Sequence, residues 1–210
     1  MSNQEIHITK ADIKNTYKFY APIYDFMFGA VLDPGRRMLA KEVILLKPCK
    51  ILEVGVGTGL LLGSYPASSK IVGIDICHDM LKRARDRAKK LSYMDIELKL
   101  IDAEHLNFAD NSFDCVVIPY VLSVTPDPEK LISEVRRVCK KNGTIIILNH
   151  FSGNSAWAPL ENLVKNLAEK IGFRSKFSYE ENISKYNWKI LKVNSVNLFG
   201  LSKLIVISNN

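Results

Sequence analysis

Ile51-Leu52-Glu53-Val54-Gly55-Val56-Gly57-Thr58-Gly59 is the stretch whose reading decides the fold. An apolar run ends in an acid, and three glycines follow at every second position. Such a stretch reads as a buried strand entering a turn where the backbone must come close to a ligand. Glycine permits both the close approach and the unusual dihedrals of the turn. A carboxylate at the end of a core strand is costly unless something pairs with it. Together the two features predict a binding loop.

Outward from this loop the chain alternates. Lys50–Val54, Lys70–Ile76, Ile96–Ile101, Asp114–Tyr120 and Thr144–Asn149 are apolar nearly throughout, as strands buried on both faces should be. Helices are predicted between them at Leu60–Leu62, Asp79–Leu91 and Pro128–Lys141. The expected fold class is therefore α/β, a Rossmann-like, doubly wound sheet, mostly parallel and with right-handed crossovers. Pro159–Lys170 has the stripe of an amphipathic helix, and Lys189–Val196 with Leu201–Ser208 read as a closing pair of strands. Upstream, Ile8-Thr9 with Asp12 and Ile13 has the form of a helix start. Asp33-Pro34-Gly35 signals a turn, and a second helix is expected over Arg36–Leu46, ended by Pro48. The chain divides into an N-terminal helical arm, 1–48, and a single core domain, 49–210.

Composition narrows the function. The 210 residues are 47% hydrophobic and 24% charged, which suits one globular domain. No run approaches the roughly 18 apolar residues of a membrane span, and the polar first ten residues lack the core of a signal peptide. A cytoplasmic protein is expected. Cys49, Cys77, Cys115 and Cys139 stand singly in or beside apolar segments, so reduced thiols are expected. His7, His78, His105 and His150 show no ligand spacing, so no metal is expected. The net charge of +7 favours polyanions, nucleic acid or an anionic membrane surface. Residues 17–28 carry six aromatics, and Lys10, Lys14 and Lys18 share a helical face. Two readings of this arm stay open: a cover over the core with its lysines in water, or an interfacial segment that enters a membrane surface.

The ligand follows from spacing. In an open parallel sheet it sits in the crevice beyond the strand ends, and three successive strand ends present Glu53, Asp75 and Asp102. A dinucleotide loop would place its third glycine at position 60, where this chain has Leu60. A pyrophosphate also wants a bare helix N-terminus. An acid at the loop entrance suits a cation instead, and S-adenosylmethionine carries a sulfonium and an ammonium. An NAD-dependent oxidoreductase is disfavoured for the same reason.

Glu53-Val-Gly-Val-Gly-Thr-Gly59 with Asp75, Asp102-Ala103-Glu104 and Asp114 resembles the class I S-adenosylmethionine-dependent methyltransferases, over residues 45–150. The resemblance implies a seven-stranded sheet whose last strand is antiparallel. It also implies a cofactor set of Glu53, Gly55, Gly57 and Gly59 around the methionine part, Asp75 at the ribose and Asp102 with Ala103 at the adenine edge, with Ile76 and Glu104 as further cofactor-binding residues. Cys139-Lys-Lys-Asn142-Gly143 departs from the Lys-Pro-Gly-Gly turn of many members. Tyr20-Ala-Pro-Ile-Tyr-Asp25, Phe28-Gly29, Leu32-Asp33-x-Gly35-Arg36, Ser123-Val-x-Pro126-Asp-Pro128 and Asn149-His-Phe151 are similar, more narrowly, to the short soluble bacterial phosphatidylethanolamine N-methyltransferases.

That resemblance implies N-methylation of phosphatidylethanolamine by a peripheral membrane protein, here expected to be a monomer. The headgroup ammonium must lose a proton before it can attack. Tyr24, Tyr120 and His150 are the candidate catalytic residues. Arg36, Arg37 and Lys41 are the candidate cations for the lipid phosphate. Tyrosine rings suit a quaternary ammonium product. The competing expectations are a C- or O-methyltransferase of a quinone precursor or other small apolar molecule and a non-catalytic, cofactor-binding membrane adaptor. A nucleic-acid partner is not expected, since no Asn-Pro-Pro-Tyr-like element is present.

Overall fold

The structure is a computed structural model that describes residues 32–151, 183, 185–197 and 200–210. The helix expected from Thr9, the aromatic arm with Tyr24 and the helix expected over Pro159–Lys170 lie outside the described residues.

Helix α1 spans Asp33–Leu46 with Pro34 in its first turn, and ends on Lys47 in the left-handed region (φ 48). It starts three residues before the expected Arg36. Pro34 belongs to the helix rather than to a turn before it, because its fixed φ and missing N–H are both tolerated in the first helical turn. The chain then runs β1 (Lys50–Val54), a 3-10 turn (Leu62–Ser64), β2 (Lys70–Asp75), α2 (His78–Lys89), β3 (Asp95–Leu100) and β4 (Phe113–Pro119). It continues with α3 (Pro128–Val138), β5 (Cys139–His150), β6 (Lys189–Val196) and β7 (Ser202–Ser208).

The seven strands form one sheet in the order β3-β2-β1-β4-β5-β7-β6. All pairs are parallel except those of β7, which is antiparallel to both β5 and β6. This is the expected architecture, with its antiparallel last strand. The period of two along each strand explains the continuous apolar runs. Leu52, Val54, Val116 and Ile118 enter one core beneath α3, with Leu131, Ile132 and Val135. Ile51, Cys115 and Val117 enter the other, with Leu39 and Val43 of α1 and Leu81 of α2. A strand that alternates between two dry cores has no polar face to show.

Two expectations need correction. The helix ending at Lys141 stops at Val138, and the strand expected from Thr144 begins at Cys139. Residues Asn142-Gly143 are an irregularity within β5, with Asn142 at φ 61 and a register shift between Phe113 and Cys115 on the partner strand. Asn209 holds this irregularity in place. Its backbone N–H donates to Gly143 (2.8 Å), its carbonyl accepts from Asn142 (2.6 Å), and its side-chain amide donates to the carbonyls of Cys139 (2.9 Å) and Arg136 (3.0 Å). The third strand is not buried on both faces either. It is the sheet edge, and Leu100 at its end is 54% exposed.

Asn209 is itself buried, so its removal leaves carbonyls unsatisfied. Asn209→Ala should lower stability by about 1–3 kcal/mol. A shift of the urea midpoint with an unchanged slope checks this.

Candidate functional site

A cavity opens beyond the C-terminal ends of the parallel strands. Gly55 and Gly57 after β1, Asp75 and Ile76 at the end of β2, Asp102, Ala103 and Glu104 after β3, and Tyr120, Val121 and Thr125 after β4 line it. The glycine turn forms because the ladder between β1 and β2 runs one step further, with Val56 N donating to Ile74 O at 2.8 Å. Asp75 then fixes the turn. Its Oδ2 accepts from Gly57 N (2.9 Å) and its Oδ1 from Cys77 N (2.8 Å). Burial raises the Asp75 pKa, and the backbone N–H groups of Cys77, Gly57 and Ile76 oppose that rise. Gly55 has φ +71, and a Cβ there would stand 2.2 Å from Val121 Cγ2. No other residue type fits that position without displacing the cavity wall.

Glu53 lies deeper than the sequence suggests. It is 1% exposed and sits below the glycine turn rather than among the cavity-lining residues. Burial pushes its carboxyl up to about 8; the Tyr65 phenol lowers it in part, and the Asp75 charge raises it again. Among the described residues, Glu53 Oε2 and the Tyr65 hydroxyl are both buried without a partner in hydrogen-bond geometry. Gly59 also stays out of the cavity, packed so that a Cβ would meet Leu62 and Ala84.

Glu104 lines the cavity, yet its Oε1 accepts from Thr125 Oγ1 and from Asp127 N, each at 2.9 Å. It therefore anchors the segment between β4 and α3. Asp127 in turn caps α3 by accepting from Lys130 N (3.0 Å). Asp102 accepts from Glu104 N (3.0 Å) and faces His105 at 3.6 Å. Asp102, Glu104 and His105 bring one ligand atom each within 4.8 Å of one another, but Glu104 is already committed to Thr125 and Asp127.

At the other end, Tyr120 sits at φ 60, an outlier for an aromatic residue. His150 lies behind it, ring centroids 5.0 Å apart and tilted by 33°. Burial pushes the imidazole below its usual 6.5, against the pull of the Leu201 carbonyl. Burial raises the Tyr120 phenol, and bonds to Asn197 and Ser202 oppose this. Of the three expected phosphate cations, Arg36 is 8% exposed and close enough to act on the Tyr120 phenol. Arg37 is solvent-exposed and paired with Asp33 at 2.5 Å, and Lys41 is exposed.

The cavity thus gathers Gly55, Gly57, Asp75, Ile76, Asp102, Ala103, Glu104 and Tyr120, with His150 and Arg36 behind Tyr120. Thr125, Tyr65, Asn197 and Ser202 have no motif of their own. The one available signal was Asn197-x-x-Gly200 between two strands, which reads as a turn and not as part of a site.

A family model for a methyltransferase domain matches residues 52–147. The chain is 39% identical over 170 residues to the phosphatidylethanolamine N-methyltransferase of Cereibacter sphaeroides, covering 80% of this chain and 83% of that protein. The chain belongs to the class I S-adenosylmethionine-dependent methyltransferases. Another relative, the demethylmenaquinone methyltransferase of Desulfitobacterium hafniense, is 32% identical over 153 residues, which cover 66% of this chain and 58% of its own. Among solved structures, a SAM-dependent methyltransferase from Aquifex aeolicus shares the fold with a TM-score of 0.67 at 16% identity, covering 93% of this chain and 97% of that one.

The cofactor of this methyltransferase is S-adenosylmethionine, and its residues suit that group. Glu53 offers a buried carboxylate oxygen that has no partner among the described residues, a counter-charge for a cation. Gly57, at φ +55, leaves open space where a Cβ would stand.

Glu53 also makes apo stability depend on pH. Its folded pKa of about 8 exceeds the ordinary 4.5, so the folded state holds a proton that the unfolded state has lost between those values. Stability should fall as pH rises through this window and level off above it. Glu53→Gln should remove that component, so that variant and wild type diverge increasingly in thermal midpoint from pH 5 to about pH 8.

Proposed function

We propose that this methyltransferase transfers a methyl group from S-adenosylmethionine to the amine of phosphatidylethanolamine at an anionic membrane surface. The observation that carries the reading is the stacked Tyr120–His150 pair, with Tyr120 in the cavity wall and His150 behind it. An amine acceptor needs a group that takes a proton yet is uncharged near neutral pH, and desolvation keeps this imidazole neutral. The 39% identical relative bears the name of a phosphatidylethanolamine N-methyltransferase. Among the described residues no helix is long and apolar enough to cross a membrane.

Bound S-adenosylmethionine supplies an electrophilic methyl group on a positively charged sulfur. Glu53 serves as its counter-charge beneath the glycine turn. Asp75 and Ile76 take the ribose end, and Asp102, Ala103 and Glu104 border the adenine. Gly55, Gly57 and Gly59 let the backbone approach and pack. His150 Nδ1 lies between the Leu201 carbonyl (3.3 Å) and Ser202 Oγ (2.8 Å); with the ring proton on Nδ1, toward that carbonyl, Nε2 keeps the lone pair. In this proposal Nε2 takes the proton released by the headgroup ammonium. Tyr120 offers its ring to the cation, and its buried phenol, raised in pKa, is a poor base. Arg36, beside Tyr120, is the phosphate partner; Arg37 and Lys41 face solvent, where they serve attraction to the membrane. The proposal keeps 1–48 as the arm and 49–210 as the core, with α1 as the packed end of the arm. It also keeps the enzyme monomeric, metal-independent and cytoplasmic.

The test is methyl transfer from labelled cofactor to phosphatidylethanolamine vesicles, with quinone precursors in parallel. Label in the lipid, with His150→Ala lowering kcat by about 100-fold or more and leaving cofactor affinity within about twofold, is expected. Label only in a quinone precursor would move the assignment to the C-methyltransferases. An unchanged kcat would remove His150 from the reaction.

A further inference from the structure

Asn197 is half-buried. It sits in the turn between β6 and β7 at φ 65, a conformation asparagine tolerates. Its side chain joins three separate parts of the chain. Oδ1 accepts from Gly35 N in the first turn of α1 (2.7 Å). Nδ2 donates to the Tyr120 hydroxyl (2.9 Å) and to Ser202 Oγ at the start of β7 (2.8 Å). Gly35 N–H can only donate, which fixes the amide orientation and points both amide hydrogens at the two hydroxyls. Ser202 Oγ lies 2.8 Å from His150 Nδ1. One amide thus touches both the tyrosine that lines the cavity and the serine that holds the imidazole.

Tyr120 needs such a holder. A left-handed aromatic residue is strained and persists only where its surroundings over-determine it. Its N–H bonds Leu148 O at 2.6 Å, and its hydroxyl, turned away toward α1, is gripped by Asn197. Gly35 makes room for the grip: a Cβ there would stand 2.8 Å from the Tyr120 hydroxyl and 2.9 Å from Asn197 Oδ1.

We propose that Asn197 is a positioning residue of the methyl transfer, holding the Tyr120 ring at the cavity wall directly and the His150 imidazole through Ser202, with Gly35 as the vacancy that lets it do so. The proposal rests on the reading that Tyr120 and His150 serve the acceptor.

Asn197→Gly keeps the left-handed backbone and removes only the amide. It should lower kcat about tenfold while cofactor Kd stays within about twofold, because the glycine turn and Asp75 are untouched. The loss should shrink at least about threefold in a Tyr120→Phe background, since contacting residues are non-additive. Gly35→Ala, which at a helical position is otherwise favourable, should reproduce the fall in kcat by displacing the same hydroxyl. A substrate-free measurement separates this proposal from the choice of acceptor: the ¹⁵N resonances and pKa of His150, followed by NMR, should shift in both Asn197→Gly and Ser202→Ala. A shift without methylation of phosphatidylethanolamine would uphold the positioning role and sink the lipid substrate, and the kinetics would then use whichever acceptor is methylated. Unshifted His150 resonances, or equal fold losses in the Tyr120 and Tyr120→Phe backgrounds, would overturn the positioning role.

Discussion

The Asp75 carboxylate is the constraint on which the cavity depends. One oxygen holds the glycine turn that follows β1, and the other holds the chain where it enters α2. Two turns from different crossovers therefore share one anion. The floor at Gly55 and Gly57 and the wall at Met80 are both set relative to it. A carboxylate buried this far would ordinarily take up a proton. The three backbone N–H groups around it oppose that tendency, so the same bonds that shape the turn also favour the charge that makes them strong.

Burial acts in opposite senses at the two ends of the cavity. Below the glycine turn it raises Glu53, leaving an acid that ionises readily only beside a cation. Behind Tyr120 it lowers His150, leaving a base that stays uncharged. In the proposed reaction these are the two requirements of amine methylation: a place for positive charge at the cofactor and none at the proton acceptor. A single physical cause, loss of hydration, supplies both. The dry surroundings come from the two apolar cores that flank the strands.

Much of this was legible in the sequence. The alternation of apolar strands and helices, the glycine turn and the acids at strand ends follow from periodicity and local chemistry, and the sheet carries them where expected. The start of β5 was not legible, because Lys140 and Lys141 read as the end of the preceding helix, and the segment is held as strand partly by Asn209, some seventy residues away. Glu53 was recognisable as a strand-end acid, but its depth depends on Tyr65 closing over it. Glu104 was recognisable as part of an acidic cluster, whereas its bonds to Thr125 and Asp127 depend on how the β4–α3 segment folds back. Asn197 is separated from Tyr120 by 77 positions. No local pattern can announce a contact that only the insertion of β7 creates.

That insertion has a consequence for how the molecule assembles. Strand β7 lies between β5 and β6, although it is the last of the three in the chain. Until Ser202–Ser208 has emerged from the ribosome, β5 has an open edge and β6 has no neighbour to join. Both would expose unpaired backbone and apolar side chains, the features that recruit chaperones or seed aggregation. The Rossmann-like half has its partners in nearby crossovers, but the half that holds Asn197, Ser202 and His150 can close only once β7 is in place. A nascent chain stalled before this strand would carry the glycine turn and still lack the hydrogen-bonded support behind Tyr120.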